Sequence, residues 1–146
     1  EELKKLGGVS YTDEENLFAQ ELYKTLLNPD RAIGDQETIQ PLVLSQTKGS
    51  TDVGDVSWKV PTSGVRIATW VPGTSSHSWQ AVAAGGTSIG TKGSTLAAKA
   101  LANSAVRLFE EPALIKLAWN EHKANIGDHD YQALLGDREP PLDYRK

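Results

Sequence analysis

The sequence predicts an α/β chain, and three observations carry that reading. Residues Val65-Arg66-Ile67-Ala68-Thr69-Trp70-Val71 alternate and are rich in β-branched side chains, which is the pattern of a strand. Thr12-Asp13-Glu14-Glu15 opens a helix whose apolar face repeats every four residues. A long third segment, Ala97 to Phe109, has helical periodicity with small residues on the face that would lie close against a sheet.

In chain order, Thr12 is placed to cap a helix and Glu15 to reach back to it, with acidic side chains on the positive end of the helix dipole. Phe18, Leu22 and Leu26 give that helix its buried face, and Asn28-Pro29-Asp30 stops it. Residues 31–47 read as a surface connection ending in a short strand at Pro41-Leu42-Val43-Leu44. The block from Gly49 to Trp58 begins with turn residues and continues as a short helix from Asp52. Pro72-Gly73 closes the strand at 65–71, and Thr74 to Gln80 follows as a polar loop at its C-terminal end, the place where ligands bind in α/β sheets. Helical pattern then runs from beyond Gly93 through Ala97, Leu101, Ala105 and Phe109. Pro112 restarts the chain as a first-turn proline, Leu114, Leu117 and Ala118 supply the next buried side, and Gly127 ends it. The remainder, 127–146, reads as an extended tail.

Composition narrows the function. The 146 residues suit one domain-sized core, and a net charge of -4 provides no general attraction to phosphate polyanions, so no nucleic-acid partner is expected. No apolar run reaches membrane-spanning length: Lys99, Asn103, Arg107 and Lys116 interrupt the longest ones. Cysteine is absent, which removes disulfides, thiolate metal sites and cysteine nucleophiles and is consistent with a reducing cytoplasm. Methionine is absent too and the chain opens on Glu1-Glu2-Leu3-Lys4-Lys5, from which a segment of a longer polypeptide is expected.

Three constellations carry possible chemistry. Gly85 to Gly93 with Lys92 suggests a phosphate loop, but Thr91 separates Gly90 from Lys92 and breaks that spacing, so a tight turn feeding a closely packed helix is preferred. His122 and His129 flank Asp128 and Asp130 without the spacing of a helical ligand pair, and the reading preferred is a solvated helix face for His122 and a loop for His129. Gly49 to Asp55 together with His77 join acidic, hydroxyl and imidazole groups at loop positions, types that suit a divalent metal and an anionic substrate. The competing reading is that Ser50 and Asp52 cap the following helix and His77 serves a turn.

The order Gly49-Ser50-Thr51-Asp52-Val53-Gly54-Asp55-Val56-Ser57-Trp58, then His77-Ser78-Trp79-Gln80, then Thr87-Ser88-Ile89, Lys92-Gly93 and Leu96-Ala97-Ala98-Lys99-Ala100 resembles the C-terminal part of the aminobenzoyl-glutamate hydrolase type of metal-dependent peptidases and amidohydrolases. That family includes carboxypeptidase G and succinyl-diaminopimelate desuccinylase. The resemblance covers about Leu3 to Ile126, with residues 1–10 as the junction where the catalytic domain resumes after an inserted domain. It implies the C-terminal portion of a zinc-peptidase-like, phosphorylase/hydrolase-type three-layer catalytic domain. It also implies a parent holding two divalent ions, zinc or manganese, by two histidines and three carboxylates, with a separate glutamate activating the bridging water. His77 matches the last histidine ligand, and Ser50, Thr51 and Asp52 match the segment that holds the substrate carboxylate. No residue of this chain matches the base glutamate, so the chain alone is expected to be inactive and without metal, while its parent cleaves an N-acyl amino acid such as p-aminobenzoyl-glutamate. An oligomeric parent is implied, and a chain lacking its covering segments is expected to self-associate. The alternative from another class is a non-catalytic module that binds a small carboxylate or a protein partner.

Overall fold

Thr12 and Glu15 form the expected capping box: Thr12 Oγ1 accepts from the Glu15 amide at 3.2 Å, and the Glu15 carboxylate accepts from the Thr12 amide at 2.7 Å. They open α2, Asp13–Tyr23, in a computed structural model that describes residues 1–43, 49 and 51–143. A short α1, Glu2–Leu6, precedes it, unforeseen from sequence because one turn and a half carries too little periodicity to read. Downstream come α3 (Val53–Lys59), α4 (Trp79–Gly85), α5 (Ser88–Glu110) and α6 (Pro112–Ile126), with one 3₁₀ turn at Asp35–Glu37.

The chain divides into two units, Glu1–Ser45 with Gly64–Glu110, and Gln46–Ser63 with Glu111–Lys146. In the first, Ala19 and Leu22 of α2 meet Val71, Ala84 of α4 and Ile89 of α5 in a small buried cluster, with Phe18, Tyr23, Ile33 and Trp70 packed against it. Helices α1 and α4 both pack on α5. The Glu15 carboxylate fastens α2 to α5 by accepting from Ser88 Oγ at 2.6 Å and from Lys92 Nζ at 2.5 Å, while Lys92 also donates to the Ser10 carbonyl at 3.1 Å. The Lys92 ammonium and the Ser88 hydroxyl hold the Glu15 carboxyl down at about 2, against an ordinary 4.5. At the far end of α5, Arg107 pairs with Glu1 and lies 3.6 Å from the buried Glu2.

The fold class expected from sequence is corrected. Among the described residues there is no strand and no sheet; regular structure is entirely helical. The alternating segment at 65–71 is an extended run without a backbone ladder, and its side chains find other uses: Val71 is buried in the helical cluster, Trp70 packs beside it, and the Trp70 carbonyl accepts from Tyr11 Oη. A β-branched, alternating run favours extended backbone, and an extended segment forms a strand only where a second segment supplies the ladder. The shorter strand expected at 41–44 meets the same fate for 41–43, which are exposed and irregular; Leu44 lies outside the described residues.

Helix α5 begins earlier than the sequence predicts and takes in Gly90 and Gly93, residues that weaken a helix. Close approach overrides that penalty: a Cβ on Gly93 would stand 2.3 Å from the Ala68 carbonyl oxygen and 2.9 Å from the Thr69 methyl. The tight turn and closely packed helix preferred over a phosphate loop are what the structure has. The face read as lying on a sheet is instead largely open, with Leu101 and Phe109 exposed and Ala100 buried. Helix α2 is also shorter than read, ending at Tyr23 before two further turns to Leu26.

In the second unit α3 runs from Asp52 as expected, although the Asp52 carboxylate makes no capping bond. Helix α6 carries Pro112 in its first turn and is capped at Gly127, also as expected. His122, read as solvated, is buried with 9% exposure and meets the Trp119 ring edge-on at 5.4 Å. Leu117, read as buried, is exposed.

Candidate functional site

The loop Thr74–Ser78 enters α4 through a cap that the sequence order dictates. Ser78 Oγ accepts from the Ala81 amide at 3.2 Å and donates to the Ser75 carbonyl at 2.7 Å, closing the loop on itself. Gly73, at φ 79, makes the turn out of the extended segment, where a Cβ would strike Pro29 Cβ at 2.5 Å. Gln80 then ties the start of α4 to the end of α2, donating to the Thr25 carbonyl at 3.1 Å and to Thr25 Oγ1 at 3.3 Å.

These restraints hold His77 in the left-handed region at φ 59, a conformation that β-carbon-bearing residues adopt at a cost of about 1–2 kcal/mol. The imidazole is exposed and has no hydrogen-bond or ion-pair partner among the described residues. It lines an open cleft of about 480 Å³ with Trp70, Ser78, Trp79, Ala81 and Val82. Trp79 is 61% exposed and Val82 77%, and their spacing of three sets them on one side of α4. In the same loop Thr74 Oγ1 is buried without a hydrogen-bond partner among the described residues.

Thr51 and Asp52 belong to the other unit. Both are exposed; Thr51 Oγ1 accepts from the Val53 amide at 3.4 Å and the Thr51 and Asp52 carbonyls accept from Gly54 and Asp55, so it is Thr51 that supplies the hydroxyl to the first turn of α3. Ser50 lies outside the described residues. Sequence reasoning overlooked an aromatic group in this unit. The Trp58 ring lies 4.6 Å from His129 and, nearly parallel, 6.0 Å from Tyr131; Lys59 Nζ sits 5.1 Å over the Tyr131 ring, and Tyr131 Oη donates to Asp55. Those residues are more than seventy positions apart, and only the isolated aromatic letters hint at the group.

A structural or catalytic zinc needs at least three protein ligands. Among the described residues no three His, Asp or Glu side chains converge, and His77 alone brings a ligand atom to the cleft. Among the described residues, then, no complete set of metal ligands is brought together. No helix among the described residues is long and apolar enough to cross a membrane.

An accessible imidazole on an apolar cleft is a feature shared by many ligand-binding proteins, and does not by itself single out one of them. The chain is 32% identical over 164 aligned residues to one of the subunits of p-aminobenzoyl-glutamate hydrolase from Escherichia coli (strain K12), an alignment covering 95% of the chain and 34% of that protein. The chain thus spans about a third of the length of the relative it matches. No family model matches the sequence, and no solved structure matches it.

Proposed function

We propose that this chain is a segment of a metal-dependent amidohydrolase that cleaves the amide of an N-acyl amino acid of the p-aminobenzoyl-glutamate kind, working in the cytoplasm. The observation that carries the reading is the similarity, across 95% of the chain, to the E. coli p-aminobenzoyl-glutamate hydrolase polypeptide. Support within the molecule comes from His77, whose imidazole is partner-free among the described residues and held at a cleft in a strained backbone conformation. Backbone strain concentrates where function constrains a loop. In this proposal His77 is one of several ligands to a pair of zinc or manganese ions, and the others, with the residue that activates water, come from segments outside these 146 residues. When bound, such ions polarise the amide carbonyl and lower the pKa of bound water. Ser50 and Thr51 are proposed to offer hydroxyls to a substrate carboxylate, with Asp52 ordering their turn.

The test is a replacement. The segment of the E. coli hydrolase polypeptide that aligns with this chain is exchanged for residues 1–146, and the hybrid is expressed in E. coli cells lacking the native polypeptide. Hydrolysis of p-aminobenzoyl-glutamate, followed by release of p-aminobenzoate, supports the proposal. A folded, soluble hybrid with no hydrolysis above the empty background contradicts it.

A further inference from the structure

We infer that the stretch following α6 is a strap that orders α3 and the Thr51–Asp52 turn in front of it, with Tyr131 as the positioning residue. The inference rests on the proposed function only for what that turn serves, since Thr51 stands there among the groups offered to a substrate carboxylate. Helix α3, Val53–Lys59, has seven residues and none of them is buried. Isolated helices shorter than about 12–15 residues are marginal in water, and this one contains Gly54, Val53, Val56, Asp55 and Ser57, none of them a strong helix former. Its own side chains add only local restraint: Thr51 Oγ1 accepts from the Val53 amide at 3.4 Å, and Ser57 Oγ donates to the Gly54 carbonyl at 2.7 Å. Contacts from beyond the helix have to hold it.

Those contacts converge on one short stretch of the same unit. Tyr131 Oη donates to the Asp55 carboxylate, the Trp58 ring meets both the Tyr131 and the His129 rings, and Lys59 Nζ donates to the Tyr131 carbonyl at 3.0 Å while lying over the Tyr131 ring. Asp55, Trp58 and Lys59 stand at i, i+3 and i+4, so the stretch engages one side of α3 from its first turn to its last residue. The chain is delivered there by Gly127, which ends α6 at φ 55, and by the His129 amide, which donates to the Ile126 carbonyl at 3.1 Å. Losing the Tyr131 side chain therefore frees α3 at both ends at once. Thr51 follows, because its hydroxyl is tied to the Val53 amide and its carbonyl to the Gly54 amide.

The test has two readouts. In the full 146-residue chain labelled with ¹³C and ¹⁵N, the Cα shifts of residues 53–59 report how much of α3 is helical, with α5 and α6 as internal references. Tyr131→Ala should cut the helical shift of α3 at least about twofold and leave α5 and α6 unchanged, whereas Tyr131→Phe, which keeps the ring against Trp58, should retain most of it. In the hybrid hydrolase, Tyr131→Ala should raise KM for p-aminobenzoyl-glutamate about tenfold, the scale of losing one hydrogen bond to a charged group, with kcat and metal content within about twofold of wild type and KM partly restored in Tyr131→Phe. Unchanged α3 shifts in Tyr131→Ala overturn the inference, as does an active hybrid whose KM ignores that variant or whose metal content falls with it. A wild-type hybrid without activity removes the proposed function and leaves the strap to be decided by the shifts, whereas an active hybrid with unchanged shifts keeps that function and removes the strap.

Discussion

Replacing Glu15 by glutamine removes the charge from the carboxylate that joins α2 to α5 while keeping its size. In the structure this group accepts from the Thr12 amide, Ser88 Oγ and Lys92 Nζ, at 2.7, 2.6 and 2.5 Å. A carboxyl lowered from 4.5 to about 2 corresponds to an upper bound of roughly 3 kcal/mol of stabilisation when ionised. The Glu15 side chain is 8% exposed but that of Lys92 is 39%, so solvent screens the pair, and about 1–2 kcal/mol is the expected loss at pH 7. The sign with pH is fixed by the direction of the shift. The folded-state pKa lies below the unfolded one, so the contribution is complete above about 4.5 and disappears as pH falls through about 2. Urea unfolding followed by circular dichroism at 222 nm, at pH 7 and pH 3, should show wild type more stable than Glu15→Gln at pH 7 and the gap reduced to less than half at pH 3. An equal gap at both pH values, or none at pH 7, would refute the role given to this carboxylate.

The positive φ of His77 predicts that His77→Gly raises stability by up to about 1 kcal/mol, whereas His77→Ala keeps the strained backbone and does not; urea midpoints of the two variants decide. Gly93→Ala should lose about 1–3 kcal/mol, since the new methyl meets the Ala68 carbonyl and the Thr69 side chain despite alanine's better helix propensity. Gly54→Ala in α3, where a Cβ has open space, should gain up to about 1 kcal/mol, and the two glycine variants should therefore shift the midpoint in opposite directions.

Local chemistry was legible in the sequence where neighbours in the chain determine the outcome. Thr12 and Glu15 are three residues apart and meet in the capping box; Pro112, with its fixed φ, stands in the first turn of α6, and Gly127, free to adopt a φ of 55, ends it. What failed depends on packing that the local pattern does not record. Val65 to Val71 has a strand's pattern, but a strand exists only with a ladder partner; among the described residues the segment has none, and Val71, with Trp70 beside it, packs into the cluster formed by α2, α4 and α5 instead. His122 looks solvated from its polar neighbours and is buried beside Trp119 on its own helix. Helix α5 starts at Ser88, inside the stretch read as a turn, because Gly90 and Gly93 serve close packing within the helix rather than a turn before it. His77 was singled out from its position in a polar loop, and the structure places it on an open apolar cleft; the sequence held no sign that Trp70, nine residues before Trp79, lines that cleft as well.

If His77 holds a metal ion as proposed, metal content and hydrolysis depend on it together. In the hybrid carrying residues 1–146 in place of the aligned segment of the E. coli polypeptide, zinc and manganese per protein are determined by elemental analysis beside the rate of p-aminobenzoyl-glutamate hydrolysis. Replacing His77 by alanine should lower metal content and rate together, with the rate falling at least about tenfold, since mutating even the groups that orient metal ligands costs about 10–100-fold. A His77→Ala hybrid that keeps its full metal content and its rate would contradict the assignment.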